Sequence, residues 1–314
     1  MISFDPILGG TCLPINLKTL CLMNQVNKRF NDLTRDPLLY TRLNMRNICC
    51  PIYFYNILCY FTPRCKYLQQ LYLTLNNFSS SHFVQFLENC GRHLTHLRFI
   101  QCRSKIYFTP QRHTIIERDK RESMEVQCFC KILQKNKRIR ELYLHCCLLM
   151  GNCSDSPVDT VAIGLGNSCR DLQIINLYDT YGITSKGINA LANCKNLQTV
   201  DLGEIMESKG LIFDLDDSLS RLLSSCQLLE EIFLTGIVLS DRNLKLLAEC
   251  KNLKTLHLQD VKFVTPDNVS IILEQCPKLE CFQLLDYYIS LYLISQWKKS
   301  HPHVFNEKRE YLDY

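Results

Sequence analysis

One spacing, repeated along the chain, restricts the fold more than any other feature: a cysteine, a leucine three places on, an apolar residue three later, and a leucine two after that. It stands at Cys65/Leu68/Leu71/Leu73, Cys169/Leu172/Ile175/Leu177, Cys194/Leu197/Val200/Leu202, Cys226/Leu229/Ile232/Leu234, Cys250/Leu253/Leu256/Leu258 and Cys276/Leu279/Phe282/Leu284. With one extra residue it occurs at Cys90/Leu94/Leu97/Phe99, and without the cysteine at Ile139/Leu142/Leu144. Several neighbouring cysteines are 24 to 26 residues apart. The last two apolar positions of each copy alternate, as in a strand with one buried face.

The stretch 182–202 shows the whole unit. Thr184 can cap a helix whose apolar positions Ile188, Leu191 and Ala192 share one face, and Leu197, Val200 and Leu202 then follow strand spacing. Other copies carry the same punctuation. Ser79 precedes Phe83, Phe86 and Leu87; Ser240 precedes Leu244, Leu247 and Ala248; Thr265-Pro266 precedes Val269, Ile272 and Leu273. Each predicts a capping hydroxyl, and Pro266 suits a first helical position. Ser156-Pro157 does the same before Val161, Ala162 and Leu165, although Gly164 and Gly166 lower helix propensity there. A single strand–helix unit cannot bury its own apolar face, so the copies must stack. The fold expected over 49–300 is an α/β leucine-rich-repeat solenoid, curved, with parallel strands inside and helices outside. Its last helix, Ser290 to Lys299, is expected to close the array with Ile294 and Trp297. The period breaks over 100–138 and 203–217, the latter expected as a surface loop from Gly203 to Leu215.

Composition narrows the function classes. The chain has 314 residues, a formal net charge of +5 and 46% hydrophobic residues, which suits a folded protein. Its start shows no basic region leading into an apolar run. The apolar stretches 49–61 and 281–295 are short for a membrane span, and the second contains Asp286. A soluble, intracellular protein is expected, cytoplasmic or nuclear, with no membrane partner. The 19 cysteines include no C-x-x-C pair, and Cys49-Cys50, Cys128-x-Cys130 and Cys146-Cys147 lack the partners of a tetrahedral site. They read as buried thiols, so neither metal nor other cofactor is expected.

No phosphate loop, H-E-x-x-H or G-x-S-x-G is present, so function must come from surface display rather than catalysis. If Leu71 and Leu73 point inward, Tyr72 faces out, and the same step selects Arg98, Tyr143, Asn176, Asp201, Phe233, His257 and Gln283. Tyr178 and Gln259 lie one position beyond the inward leucine of their copies. Together these residues form an aromatic and polar strip on the concave face, suited to a target protein. Residues 103–140 hold eleven Lys/Arg against four Asp/Glu, including Lys105, Arg112, Lys120, Arg121, Lys137, Arg138 and Arg140. With no aromatic interleaving, a solvated insertion is favoured over nucleic-acid binding.

The amino-terminal part has a character of its own. Leu17, Leu20, Leu22, Val26, Phe30 and Leu33 suggest helical packing, which Asp36-Pro37 should end. Val26-Asn27-Lys28-Arg29-Phe30-Asn31-Asp32-Leu33, followed by Asp36-Pro37-Leu38-Leu39-Tyr40 and Leu43-Asn44-Met45, resembles the second half of an F-box. Tyr40 sits where that family usually carries tryptophan, and Asn27 where it often carries cysteine. Leu13-Pro14 lies too close to Val26 to leave room for the family's first helix, so the motif is read as partial. The repeats in turn resemble the cysteine-containing leucine-rich repeats of F-box proteins over roughly 60–300. The resemblance implies a substrate-recognition subunit of a cullin-type ubiquitin ligase. Leu22, Val26, Phe30, Pro37, Leu38 and Tyr40 would dock on the Skp adaptor, and the concave face would hold a target. The alternative is that 16–45 merely caps a repeat scaffold with no link to ubiquitin. The domains expected are a leader over 1–15, the F-box-like element over 16–48, the solenoid over 49–300 and a tail over 301–314.

Overall fold

Strand alternation and helix spacing, repeated in register, build a ten-stranded sheet whose pairs are all parallel. The computed structural model describes residues 25–46, 51–74, 77–78, 80–100, 102–104, 133, 136–145, 156–178, 180–205, 212–285 and 289–305. The sheet runs in chain order through β1 (Arg42–Arg46), β2 (Gln70–Thr74), β3 (His96–Ile100), β4 (Glu141–His145) and β5 (Ile174–Asn176). It continues through β6 (Thr199–Ile205), β7 (Glu231–Thr235), β8 (Thr255–Gln259) and β9 (Cys281–Leu285). A short strand, Tyr181–Ile183, pairs with the end of β6. The described helices are α1 (Lys28–Leu33), α2 (Pro51–Phe61), α3 (Ser80–Cys90), α4 (Pro157–Ser168), α5 (Ser185–Leu191), α6 (Ile212–Ser225), α7 (Asp241–Glu249), α8 (Ser270–Gln275) and α9 (Leu291–Ser300). The parallel strands pack the alternate apolar side chains of one face into the core beneath the helices, so the fold is a leucine-rich-repeat solenoid.

The expected inward positions are buried in every copy, from Cys65, Leu68, Leu71 and Leu73 to Cys276, Leu279 and Phe282; only Leu284, on the last strand, is half-buried. They join one continuous apolar core. The repeat cysteine ends its helix, standing at the C-cap of α4 (Cys169), α7 (Cys250) and α8 (Cys276). There its thiol reaches a backbone carbonyl, in most copies one of the preceding unit: Cys169 to Asn136 (3.3 Å), Cys194 to Cys169 (3.6 Å), Cys226 to Cys194 (3.4 Å) and Cys276 to Leu247 (3.5 Å). A small apolar side chain with a weak donor fits that spot, where an orphan carbonyl must be met without filling the core. Burial pushes the thiols up, to about 11 for Cys169 and about 12 for Cys194 and Cys226.

Helix starts follow the expected chemistry with one exception. Ser156 accepts from the backbone N–H of Val158 (3.2 Å), Thr184 from Lys186 (3.2 Å), Ser240 from Asn243 (3.3 Å) and Ser290 from Tyr292 (3.3 Å). Thr265 makes no cap. Its hydroxyl meets Asp241 Oδ2 at 3.2 Å, and Pro266–Val269 forms a 3-10 turn ahead of α8. Ser79 lies outside the described residues.

Adjacent units are also tied by buried polar groups. Asp159 in α4 accepts from the Thr184 and Gly187 backbone N–H groups (2.8 and 3.1 Å) and from the Thr184 hydroxyl (2.5 Å), so one unit's carboxylate caps the next unit's helix. Asn243 in α7 accepts from Ser220 (2.8 Å) and donates to Asp216 (2.5 Å). Gly166, read as a weakness of α4, is a packing requirement: a Cβ there would run into the Ala190 carbonyl of α5.

Three expected boundaries move. Arg42–Arg46, within the stretch read as the helical element, is the first strand of the sheet, because Leu43 and Met45 alternate into the core. The stretch expected as a loop from Gly203 to Leu215 is regular at both ends. β6 continues to Ile205 and α6 begins at Ile212, where Leu215, Leu219, Leu222 and Leu223 supply a buried helical stripe. The tail's first residues belong to the closing unit, since Val304 is buried and its carbonyl accepts from Phe282 N–H at 2.7 Å. Trp297 is buried over the same end. The leader 1–15, most of the basic stretch (Lys105, Arg112, Lys120 and Arg121 included) and 306–314 lie outside the described residues, as do Cys49, Cys50, Cys128, Cys130, Cys146 and Cys147.

Candidate functional site

The open face is built by strand pairing. Register places Asn44, Tyr72, Arg98 and Tyr143 side by side on β1 to β4, then Asn176 and Asp201 on β5 and β6, then Phe233, His257 and Gln283 on β7 to β9. One row therefore crosses the whole sheet. Eight of its members were selected by sequence alternation. Asn44 was missed because its strand had been read as part of a helical element.

The row divides into three chemically distinct parts. Over β2 to β4 it is aromatic and cationic. The Arg98 guanidinium lies 3.9 Å from the Tyr143 ring centroid and 5.2 Å from that of Tyr72. Arg42 Nε donates to Gln70 Oε1 at 2.5 Å, the Tyr72 hydroxyl bonds the same oxygen at 3.1 Å, and His96 meets Glu141 at 3.2 Å. Two places beyond Tyr143, His145 stacks on Tyr178 with ring centroids 4.7 Å apart and planes 19° apart. His145 was missed by the sequence reading, although the step of two that reached it was available from Tyr143.

The middle of the row is closed. Asn176 and Asp201, expected to face a partner, are only 4% and 3% exposed. Asp201 Oδ1 accepts from Gly203 N–H (3.0 Å) and Oδ2 from the Asn176 amide (3.3 Å), while Asn176 Oδ1 accepts from Tyr178 N–H (3.1 Å). These two side chains hold the bend after β5 and the register shift within β6. Gly203 allows that shift: its φ is +63°, and a Cβ would meet the Leu177 carbonyl. Burial pushes the Asp201 carboxyl up to about 7, against the lowering pull of the Gly203 N–H.

The carboxy-terminal part is mixed. Phe233 is half-buried and stands edge-on to His257, with centroids 6.0 Å apart and planes at 90°. His257 is buried at 6% exposure, contrary to the expectation of an open position, and desolvation lowers its pKa to about 4, so the ring is neutral near pH 7. Gln259 and Gln283 are half-buried. Central outward positions are covered because strands lie about 4.8 Å apart, close enough for large neighbours to shade a smaller side chain.

At the amino-terminal end, Val26 and Leu38 are exposed at 64% and 66%, with Leu33 and Leu39 also exposed. Lys28, Arg29, Asp32, Leu33 and Asp36 line a shallow groove beside them. Asp36 accepts from Leu38 N–H at 2.9 Å, which fixes the 3-10 turn Pro37–Tyr40; Pro37 is half-buried. Tyr40 is not available to a partner. It is fully buried, donates to the Thr34 carbonyl at 2.5 Å and packs 5.7 Å from the Phe61 ring. Leu22 and the Phe30 side chain lie outside the described residues.

Among the described residues, no group of three or more His, Cys, Asp or Glu side chains is placed to hold a metal ion. No described helix is long and apolar enough to cross a membrane.

A profile described as Leucine Rich Repeat matches residues 252–277, the unit from β8 to Cys276. Among solved structures, an internalin (inlF) from Listeria monocytogenes is similar at 13% identity and a TM-score of 0.42, covering 72% of this chain and 63% of that one. An internalin C2 from the same organism is 16% identical with a TM-score of 0.34, covering 78% and 71%. A plant peptide hormone receptor, RGFR1 in complex with RGF2, is 14% identical with a TM-score of 0.39, covering 78% of this chain and 36% of that chain. The chain thus spans less than two thirds of the length of the inlF and receptor chains.

Proposed function

We propose that this protein is a non-catalytic recognition subunit that binds a target protein on its open sheet face and docks through its amino-terminal element on the Skp adaptor of a cullin-type ubiquitin ligase. The observation that carries the target-binding half is the row in register from Asn44 to Gln283, accessible towards both ends of the sheet and closed at Asn176 and Asp201. Eight inter-strand steps of about 4.8 Å make a surface roughly 38 Å long. Its outer parts offer Tyr72, Arg98, Tyr143 and Phe233, with Tyr178 beside the row, the aromatic and arginine side chains that dominate protein interfaces. The adaptor half rests on the F-box resemblance together with the exposed apolar side chains Val26, Leu33, Leu38 and Leu39 beside the turn at Asp36-Pro37. Ubiquitin transfer would then be performed by partner subunits, with this chain supplying proximity alone.

A second reading is favoured by Tyr40. Its burial against Phe61 makes part of the F-box-like element a cap for the first repeats, as a scaffold without ligase association would need. The target-binding half is tested by proximity labelling in cells with the intact chain, Phe233→Ala, Gln283→Ala, and Lys245→Ala on the exposed surface of α7. Partners lost in the two row variants and kept in Lys245→Ala support it. Identical partner sets in all four would remove it.

A further inference from the structure

The three outward positions on each of β1 to β4 hold Arg42, Arg46 and Arg98 against a single acid, Glu141, which is already paired with His96 at 3.2 Å. The same positions on β5 to β9 hold no lysine or arginine. Charge on the open face is therefore segregated, basic at the amino-terminal end. Within the basic part, Nε of Arg98 and Nε of Arg46 are buried and have no hydrogen-bond acceptor among the described residues. Arg98 has no hydrogen bond or ion pair of any kind among them, only the two tyrosine faces at 3.9 and 5.2 Å.

A guanidinium held between aromatic rings, with its donors unspent, is poised for a planar oxyanion. The rings restrict its rotamers before binding, and a buried N–H without an acceptor is unfavourable until one arrives. A carboxylate or phosphate can take two parallel N–H bonds from such a fork, and a lysine could not replace that geometry. We infer that the open face over β2 to β4 seats an extended segment of a partner protein through an anionic side chain, a carboxylate or a phosphate, held by Arg98 between Tyr72 and Tyr143. The inference rests on the proposal that the row is the target surface, and adds the chemistry of what is recognised. The absence of cations on β5 to β9 sets the anionic residue at one end of the bound segment, with Phe233 and Gln283 left to neutral residues.

The test uses the full chain and fluorescein-labelled Gly/Ser peptides with a central Asp-Glu-Asp-Glu, a central phosphoserine or a central Asn-Gln-Asn-Gln, read by anisotropy at low salt. Arg98 Nε–H is followed by NMR in parallel. Both anionic peptides are expected to bind and move the Arg98 resonance, and the neutral peptide to do neither. Whichever anionic probe binds tighter identifies the carboxylate or the phosphate as the source. Arg98→Gln is expected to weaken anionic binding roughly ten- to a hundredfold with an unchanged melting curve, Arg98→Lys to recover part of it, and Arg242→Gln on the helical side to change nothing. Equal binding of anionic and neutral peptides, no binding of either, or an unaffected Arg98→Gln would overturn the inference. In the labelling assay, partners lost in Phe233→Ala but kept in Arg98→Gln would leave the row as target surface and remove this inference alone. Partners kept in both would remove the two together.

Discussion

Asp201 gives the sharpest test of the packing on the open face. Its carboxyl is 3% exposed and is pushed by burial from an ordinary 3.8 up to about 7. A group that binds its proton more tightly when folded makes the folded state lose stability as pH rises between the two values. Below about pH 4 both states are protonated and Asp201 is neutral in its effect. Above about pH 7 the native protein must hold a buried carboxylate, with only Gly203 N–H and the Asn176 amide to stabilise it. A shift of about 3 pH units corresponds to roughly 4 kcal/mol, an upper bound because the site relaxes. Asp201→Asn keeps an acceptor for Gly203 N–H and removes the charge. Urea unfolding of both proteins from pH 4 to 8 should therefore show the variant gaining on the parent by about 2–4 kcal/mol across that range, most of it between pH 5 and 7. A difference that stays flat with pH, or grows in the parent's favour, would show that Asp201 is solvated or paired otherwise, and that the middle of the row is open.

Other outcomes follow from the repeat contacts. Gly166→Ala should destabilise by about 1–3 kcal/mol although alanine is the better helix former by about 1 kcal/mol, because its Cβ would collide with the Ala190 backbone; thermal unfolding showing a gain would refute the close approach of α4 and α5. Asp159→Ala should lose roughly 2–3 kcal/mol in denaturant titration, since it strips the acceptor from two backbone N–H groups of the next helix; a loss below about 0.5 kcal/mol would deny that cap. Cys169, Cys194 and Cys226 should resist iodoacetamide at pH 8 in the native protein, while exposed Cys59 reacts, with site-resolved mass spectrometry as the check.

The solenoid was legible because its inward positions depend on a short-range rule: two residues at strand spacing and a cysteine at a helix end recur whatever surrounds them. What was not legible depends on neighbours a whole repeat away. Asn176, Asp201 and His257 obey the outward step yet are shaded by side chains on adjacent strands, a lateral relation that no single period encodes. Gly166 looked like poor helix chemistry until Ala190 of the next unit came against it. Thr265 had the residue type of a cap, but Asp241, 24 positions earlier, takes its hydroxyl. At the amino-terminal end the pattern of apolar residues was right and its allocation was not: Tyr40 and Leu43 serve the core, whereas Val26 and Leu38 face outward.

Docking on the adaptor is tested most directly by calorimetric titration of purified Skp adaptor into the full chain and into Leu38→Asp. Leu38 is 66% exposed, so the charge should leave the melting curve within about 0.5 kcal/mol of the parent. Saturable one-to-one binding to the parent, lost in the variant, is the result expected of a ligase recognition subunit. A folded parent that takes up no adaptor, or equal binding by both proteins, would contradict it.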